Sequence, residues 1–189
     1  MIKSLVSGLF LLLVTSQTVL AHGIHYEVQL ISELKINNQQ QLSAIKMSWL
    51  YNQEASEDFL KGQTNLGILS KQLISDLQRF NFFTQLEVEN KILLSGKAQD
   101  FVLKLLKEGD SSLLELTFTL PIKSKIDIKT LRQLKLNHAD PTGMALFYYD
   151  KPQDIFLAEE LKRNCSAELR EKKEFAVGEF PQTVSINCQ

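Results

Sequence analysis

The chain is poor in the residues from which most recognisable active sites are built. Among its 189 residues are three histidines, two cysteines, one tryptophan and four prolines. It has no GxSxG elbow, HExxH pair, glycine-rich phosphate loop or cysteine beside a histidine, and so lacks the common hydrolase, zinc-peptidase and nucleotide-binding patterns. Acidic residues are scattered over turns and the polar faces of alternating segments, with no spacing that pairs two carboxylates for acid–base work. These absences argue against an enzyme. Basic charge is not in excess either. With 21 Lys and Arg against 22 Asp and Glu and no basic stripe, nucleic acid is a poor candidate partner.

What is present begins at the N-terminus. Lys3, the apolar run Leu5 to Val14, and Val19-Leu20-Ala21 form a charged start, a core and a small-residue cleavage site. Such a run is too short to be a membrane span. Residues 1–21 therefore read as a signal peptide, and residues 22–189 as a single exported domain in a bacterial periplasm. Cleavage after Ala21 would expose His22-Gly23-Ile24-His25. An N-terminal histidine offers a metal two nitrogens, its imidazole and its free α-amine. Cys165 and Cys188 suit the same compartment and most simply form one disulfide, worth roughly 3 kcal/mol for a loop of this length.

Hydrophobic periodicity gives the organisation. Tyr26, Val28, Leu30, Leu34 and Ile36 alternate with polar residues, broken only by Ser32, and predict a half-buried strand. After the turn Asn37-Asn38-Gln39, the residues Ile45, Met47, Trp49 and Tyr51 predict its antiparallel partner. Glu54 to Leu60 reads as a short helix. A loop from Lys61 to Gly67 follows, then a helix capped by Ser70 with Leu73, Ile74, Leu77 and Phe80 on one stripe. Strands are expected at 82–88, 91–94, 100–106 and through Leu114, Leu116, Phe118 and Leu120, the last ended by Pro121. Lys129 to Leu136 fits neither period, 143–149 reads as a strand, and 155–180 is ambiguous. A closing strand carries Val184, Ile186 and Cys188 on one face. The class is α+β: a mainly antiparallel sheet, with a small helical insertion packed on it.

Three candidates for chemistry remain. His22 and His25 lie together at the mature terminus, where Gly23 lets the chain curl. His138 and Asp140 lie two apart in Asn137-His138-Ala139-Asp140-Pro141, and an extended backbone would aim both to one side. Three imidazoles, a carboxylate and an amine would suffice for a tetrahedral zinc site, and nickel, cobalt or copper accept similar donors. The plainer reading is a polar chain end and a turn histidine. Glu27 is a weaker oxygen candidate. Phe80, Phe82 and Phe83 read as core at a helix-to-strand junction.

Phe80-Asn81-Phe82-Phe83-Thr84-Gln85-Leu86-Glu87-Val88, Leu116-Thr117-Phe118-Thr119-Leu120-Pro121-Ile122 and Asp140-Pro141-Thr142, in this order and spacing, resemble a family of exported bacterial proteins of undefined function. Its members are described as the periplasmic component of an uncharacterised ABC-type transport system and are associated with membrane transporters of the nickel/cobalt type. The resemblance implies a His-x-His motif after the cleavage site, which His25 matches and His22 misses by one position. Gln29 and Asn52 stand where relatives carry acids. Many relatives also carry a calcium-type loop. Here its ligand positions have become Gly62, Thr64, Leu66 and Leu73, so calcium is not expected. The resemblance implies a periplasmic accessory that binds zinc, or else nickel or cobalt, through His22, His25, His138 and Asp140 and serves a membrane metal transporter. The alternative is a non-catalytic interaction module without a metal, docking through an apolar patch around 146–149. A copper chelate at His22 is a third reading.

Overall fold

The computed structural model describes residues 26–93, 95–109 and 111–189. The signal segment, His22 and His25 lie outside them.

Strand β1 (Tyr26–Ile36) pairs antiparallel with β2 (Gln41–Tyr51). Asn37 closes the hairpin, its Oδ1 accepting from the backbone N–H groups of Gln39 and Gln41. Of the predicted inward sets, Val28, Leu30, Leu34, Ile45, Met47, Trp49 and Tyr51 are buried, as is Ser32, while Tyr26 and Ile36 at the ends of β1 are half-buried. Helix α1 (Gln53–Gly62) follows, capped by Asn52, whose Oδ1 accepts from Ala55 N. Helix α2 (Leu66–Arg79) begins earlier than its sequence suggested. Asn65 is its N-cap, accepting from the N–H groups of Gly67 and Ile68, so Ser70 lies inside the helix with its hydroxyl on the Gly67 carbonyl. With α1 running to Gly62 and Asn65 capping α2, the expected loop shortens to Gln63–Asn65.

Strands β3 (Thr84–Val88), β4 (Lys91–Leu93), β5 (Gln99–Glu108) and β6 (Ser111–Asp127) come next. Pro121 does not end β6. It pairs with Ala44 beside an irregularity between Leu42 and Ala44, beyond the last residue of β6 that pairs with β5, so its missing N–H leaves no ladder bond unmade. The remaining elements are β7 (Gln133–His138), β8 (Ala145–Tyr148), β9 (Ile155–Leu157), α3 (Glu159–Lys162), β10 (Cys165–Glu171) and β11 (Gln182–Cys188).

These strands make two sheets. One runs β5-β6-β2-β1-β8, with β9 also on β1, and the other runs β10-β11-β7-β3-β4. The first is not purely antiparallel, because β8 and β9 lie parallel to successive stretches of β1. The chain reaches that edge from β7, in the other sheet, and no hairpin links β8 or β9 to β1. Parallel pairing requires such a crossover. The sheet also does more than pack on helices. Its inner face meets the second sheet, where Phe82, just ahead of β3, stacks on Phe118 of β6 at 5.3 Å. Helices α1 and α2 contact β1, β5 and β6. One hydrophobic cluster joins all of these layers.

The C-terminal hairpin is cross-linked. Cys165 and Cys188 face each other across β10 and β11 and are disulfide-bonded, with a sequence separation of 23. Reducing the bond, or replacing both cysteines by serine, should lower unfolding free energy by about 3 kcal/mol. Urea titration of the oxidised and reduced protein, followed by far-UV circular dichroism, measures this.

Candidate functional site

His138 ends β7, directly opposite Thr84 of β3, and is 3 % exposed. Both of its ring nitrogens are occupied. Nδ1 lies 3.1 Å from Thr84 Oγ1 and Nε2 lies 3.0 Å from Tyr149 Oη. The protons can be assigned from the partners. Thr84 gives its single hydrogen to the Phe82 carbonyl at 2.7 Å, so His138 Nδ1–H must donate to Thr84 Oγ1. Nε2 then accepts from Tyr149, and the Tyr149 oxygen accepts from Ser32, 2.6 Å away. This line of neutral hydrogen bonds crosses from one sheet to the other. Burial lowers the imidazole pKa to about 3 and pushes the Tyr149 phenol up.

Asp140, two residues on, is also committed. Its Oδ1 accepts from the Thr142 N–H and hydroxyl at 2.8 and 2.7 Å, and its Oδ2 accepts from Met144 N and Ala145 N, each at 3.0 Å. The carboxylate thereby folds residues 140–145 around itself. Gly143 is needed in this loop. Its φ is +73°, and a Cβ there would sit 2.8 Å from Val177. The loop in turn receives the start of β1, with Tyr26 N donating to Met144 O at 3.0 Å.

His138 and Asp140 thus serve the fold, and a metal would have to displace the partners of each. Each is held by hydrogen-bond partners of its own. No group of three or more His, Cys, Asp or Glu suited to a metal occurs among the described residues.

The side chains that do converge are aromatic. A cavity of about 320 Å³ opens between α1, α2 and the inner face of the first sheet. Trp49, Tyr51, Phe59, Phe83 and Phe147 are among its walls, with Leu73 and Leu77 from α2, while Tyr26, Met144 and Ala145 carry the wall to the Asp140 loop. Phe147 ties the aromatic wall together, its ring 5.0 Å from Trp49 and 5.3 Å from Phe83. Two carboxylates, Asp76 and Asp140, complete the lining. The indole Nε1 of Trp49 is wholly buried, out of reach of the cavity, and has no hydrogen-bond partner among the described residues. Tyr51 is almost wholly buried, and burial alone raises its phenol pKa.

One wall rests on strained backbone. Asn81, Phe82 and Phe83 have φ of +50°, +54° and +46°, a region costing a non-glycine residue of order 1–2 kcal/mol. Hydrogen bonds hold the stretch in place, from Asn81 Nδ2 to the Thr84 carbonyl and from Ala139 N to the Phe83 carbonyl. This geometry splits the aromatic trio that the sequence presented as core. Phe82 is 1 % exposed and turns inward, whereas Phe80, 47 % exposed, stacks on Phe83 at the cavity. Sequence reasoning missed the cavity, because its walls come from five separate segments. The cluster of three phenylalanines was its only local signal.

The family follows from the sequence as a whole, since a single family model matches residues 8–184. The chain belongs to the family described as "Protein of unknown function (DUF1007)". Among curated proteins none matches. A solved structure of AChBP from Bulinus truncatus is 8 % identical over 89 % of this chain and 87 % of that one, with a TM-score of 0.33, too low to carry an argument. No helix of the described residues is long and apolar enough to cross a membrane.

The buried imidazole makes stability depend on pH. His138 takes up a proton near pH 6.5 when unfolded but only near pH 3 when folded, so between these values the unfolded state binds more protons. Stability contributed by His138 is complete above about pH 6.5 and falls on acidification, by up to about 1.4 kcal/mol per pH unit. His138→Gln should flatten this slope. Urea midpoints of both proteins between pH 4 and 7 test it, and the difference between them cancels the carboxylates common to both.

Proposed function

We propose that the protein is an exported, non-catalytic periplasmic accessory that captures a divalent transition metal at its mature N-terminus and passes it to a membrane metal transporter. The metal is cargo. Zinc is the first choice, nickel or cobalt the second, and the transporter is suggested by the family resemblance.

The observation carrying this reading is the anchoring of Tyr26. Its N–H is fixed to Met144 O, so the residues that precede it in sequence, His22-Gly23-Ile24-His25, are tethered to a strand held on both sides. Electrostatics there suit a cation. Burial raises the Tyr26 and Tyr148 phenol pKa values, with Asp58 and Glu54 adding to the first against Lys61, and Glu27 and Asp150 adding to the second, so several carboxylates lie near the first residues of β1. The donors of the proposed site are the His22 amine and imidazole and the His25 imidazole, with remaining positions left to water or the receiving transporter. In this reading Asp140 supports the loop that receives Tyr26, and His138 is committed to Thr84 and Tyr149.

The alternative is an interaction module that docks on a membrane complex without metal. Calorimetry on the mature protein with a free His22 amine separates the two. Zinc should bind with micromolar affinity, and His22→Ala or His25→Ala should weaken it at least about tenfold. His138→Ala should lower stability while leaving metal affinity unchanged. Affinity should fall below about pH 6.5 as the imidazoles protonate. Absence of micromolar binding by zinc, nickel and cobalt would leave the docking module as the surviving reading.

A further inference from the structure

We infer that the free edge of β10 receives a second copy of the chain, β10 pairing with β10 antiparallel about a two-fold axis at Leu169. This inference is independent of the metal reading.

β10 ends its sheet and pairs with β11 alone among the described strands. The ladder shows which of its backbone groups are left over. Lys172 N donates to Pro181 O and Gln189 N to Asn164 O, both in the register that sets Cys165 opposite Cys188. The even-numbered residues of β10 therefore bond to β11, and the alternate ones turn their N–H and C=O away from it. Cys165, Ala167, Leu169 and Glu171 thus present an unpaired row, a template on which another strand adds.

The side chains select the partner. Glu168 and Arg170 are exposed and alternate with half-buried Ala167 and Leu169, so both stand on the outer face. They form an ion pair within the strand, with Arg170 Nε and Nη2 each 3.0 Å from a carboxylate oxygen. An antiparallel copy centred on Leu169 sets Leu169 against Leu169 and Ala167 against Glu171. All of these have free backbone groups, so each pair can exchange two hydrogen bonds. The same register places Glu168 opposite the partner's Arg170, and Arg170 opposite the partner's Glu168. Such pairs lie about 4.5 Å apart at Cα, closer than the roughly 6.6 Å between alternate residues of one strand. The ion pairs can therefore re-form across the interface. Moving the axis by one residue either way would set Glu168 against Glu168 or Arg170 against Arg170, which like charges oppose. β5, the other long edge, carries Lys104 and Lys107, residues of the kind that guard an edge.

Sedimentation equilibrium of the mature protein from about 5 to 500 µM should show monomers and dimers, with a dissociation constant of about 10–100 µM for so small an interface. EDTA in the buffer excludes dimers bridged by a metal. Glu168→Arg and Arg170→Glu should each raise the dissociation constant at least about tenfold, because every cross-strand pair then carries like charges. Mixed in equal amounts, the two variants should form a heterodimer of about wild-type strength, since each supplies the charge the other lacks. Ala167→Pro removes a free-edge N–H and no bond to β11, and should abolish the dimer. Circular dichroism and melting of the three variants should match those of the wild type.

A protein that stays monomeric over this range overturns the proposal. Dimers untouched by either charge reversal or by Ala167→Pro would lie on another surface, and overturn it as well. Reversals that weaken the dimer without recovery in the mixture would exclude this register. If Ala167→Pro fails to fold, the exchange of charges between the two exposed positions still decides the matter.

Discussion

Two apolar sheet faces can slide over one another at little cost, because the hydrophobic effect has no direction. In this protein a buried line of hydrogen bonds, Thr84 to His138 to Tyr149 to Ser32, supplies the direction. It begins on β3 and β7 and ends on β1, with Tyr149 immediately following β8, so its members fit together in one arrangement of the two sheets. A neutral imidazole suits the task, since it offers one donor and one acceptor at opposite ends of a rigid ring. The polar cost of burying it is met only while all its partners stay in place.

Much of the molecule hangs from that line. Two residues after His138 stands Asp140, which gathers three backbone N–H groups, those of Thr142, Met144 and Ala145, around one carboxylate. The loop so formed receives Tyr26, and β8 then follows β1 in parallel. The same loop, with Ala145 and Phe147 beyond it, walls one side of the aromatic cavity. Sheet packing, the anchoring of Tyr26 and the shape of the cavity thus draw on one stretch of chain, His138 to Phe147. The Asp-Pro-Thr motif gains a structural meaning from it, since Asp140 and Thr142 organise the loop by hydrogen bonds alone.

Period-two alternation made β1, β2 and β6 legible, because a strand half-buried in a sandwich writes its inner face directly into the sequence. Local composition likewise marked the helices, although Asn65 took the capping role expected of Ser70, and Pro121 was absorbed at an irregularity that only the register of β2 reveals. The disulfide was foreseeable because two cysteines permit a single pairing. What the chain could not announce was every feature assembled from distant segments: the parallel docking of β8 and β9 on β1, the second sheet, and the cavity. His138 is the sharpest case. By sequence it is a donor beside a carboxylate, and spacing alone makes it a plausible ligand. Only the tertiary structure decides that Thr84 lies on one side of its ring and Tyr149 on the other, because a side chain's role depends on which partners desolvation leaves within reach, and those partners come from residues 54 and 11 positions away.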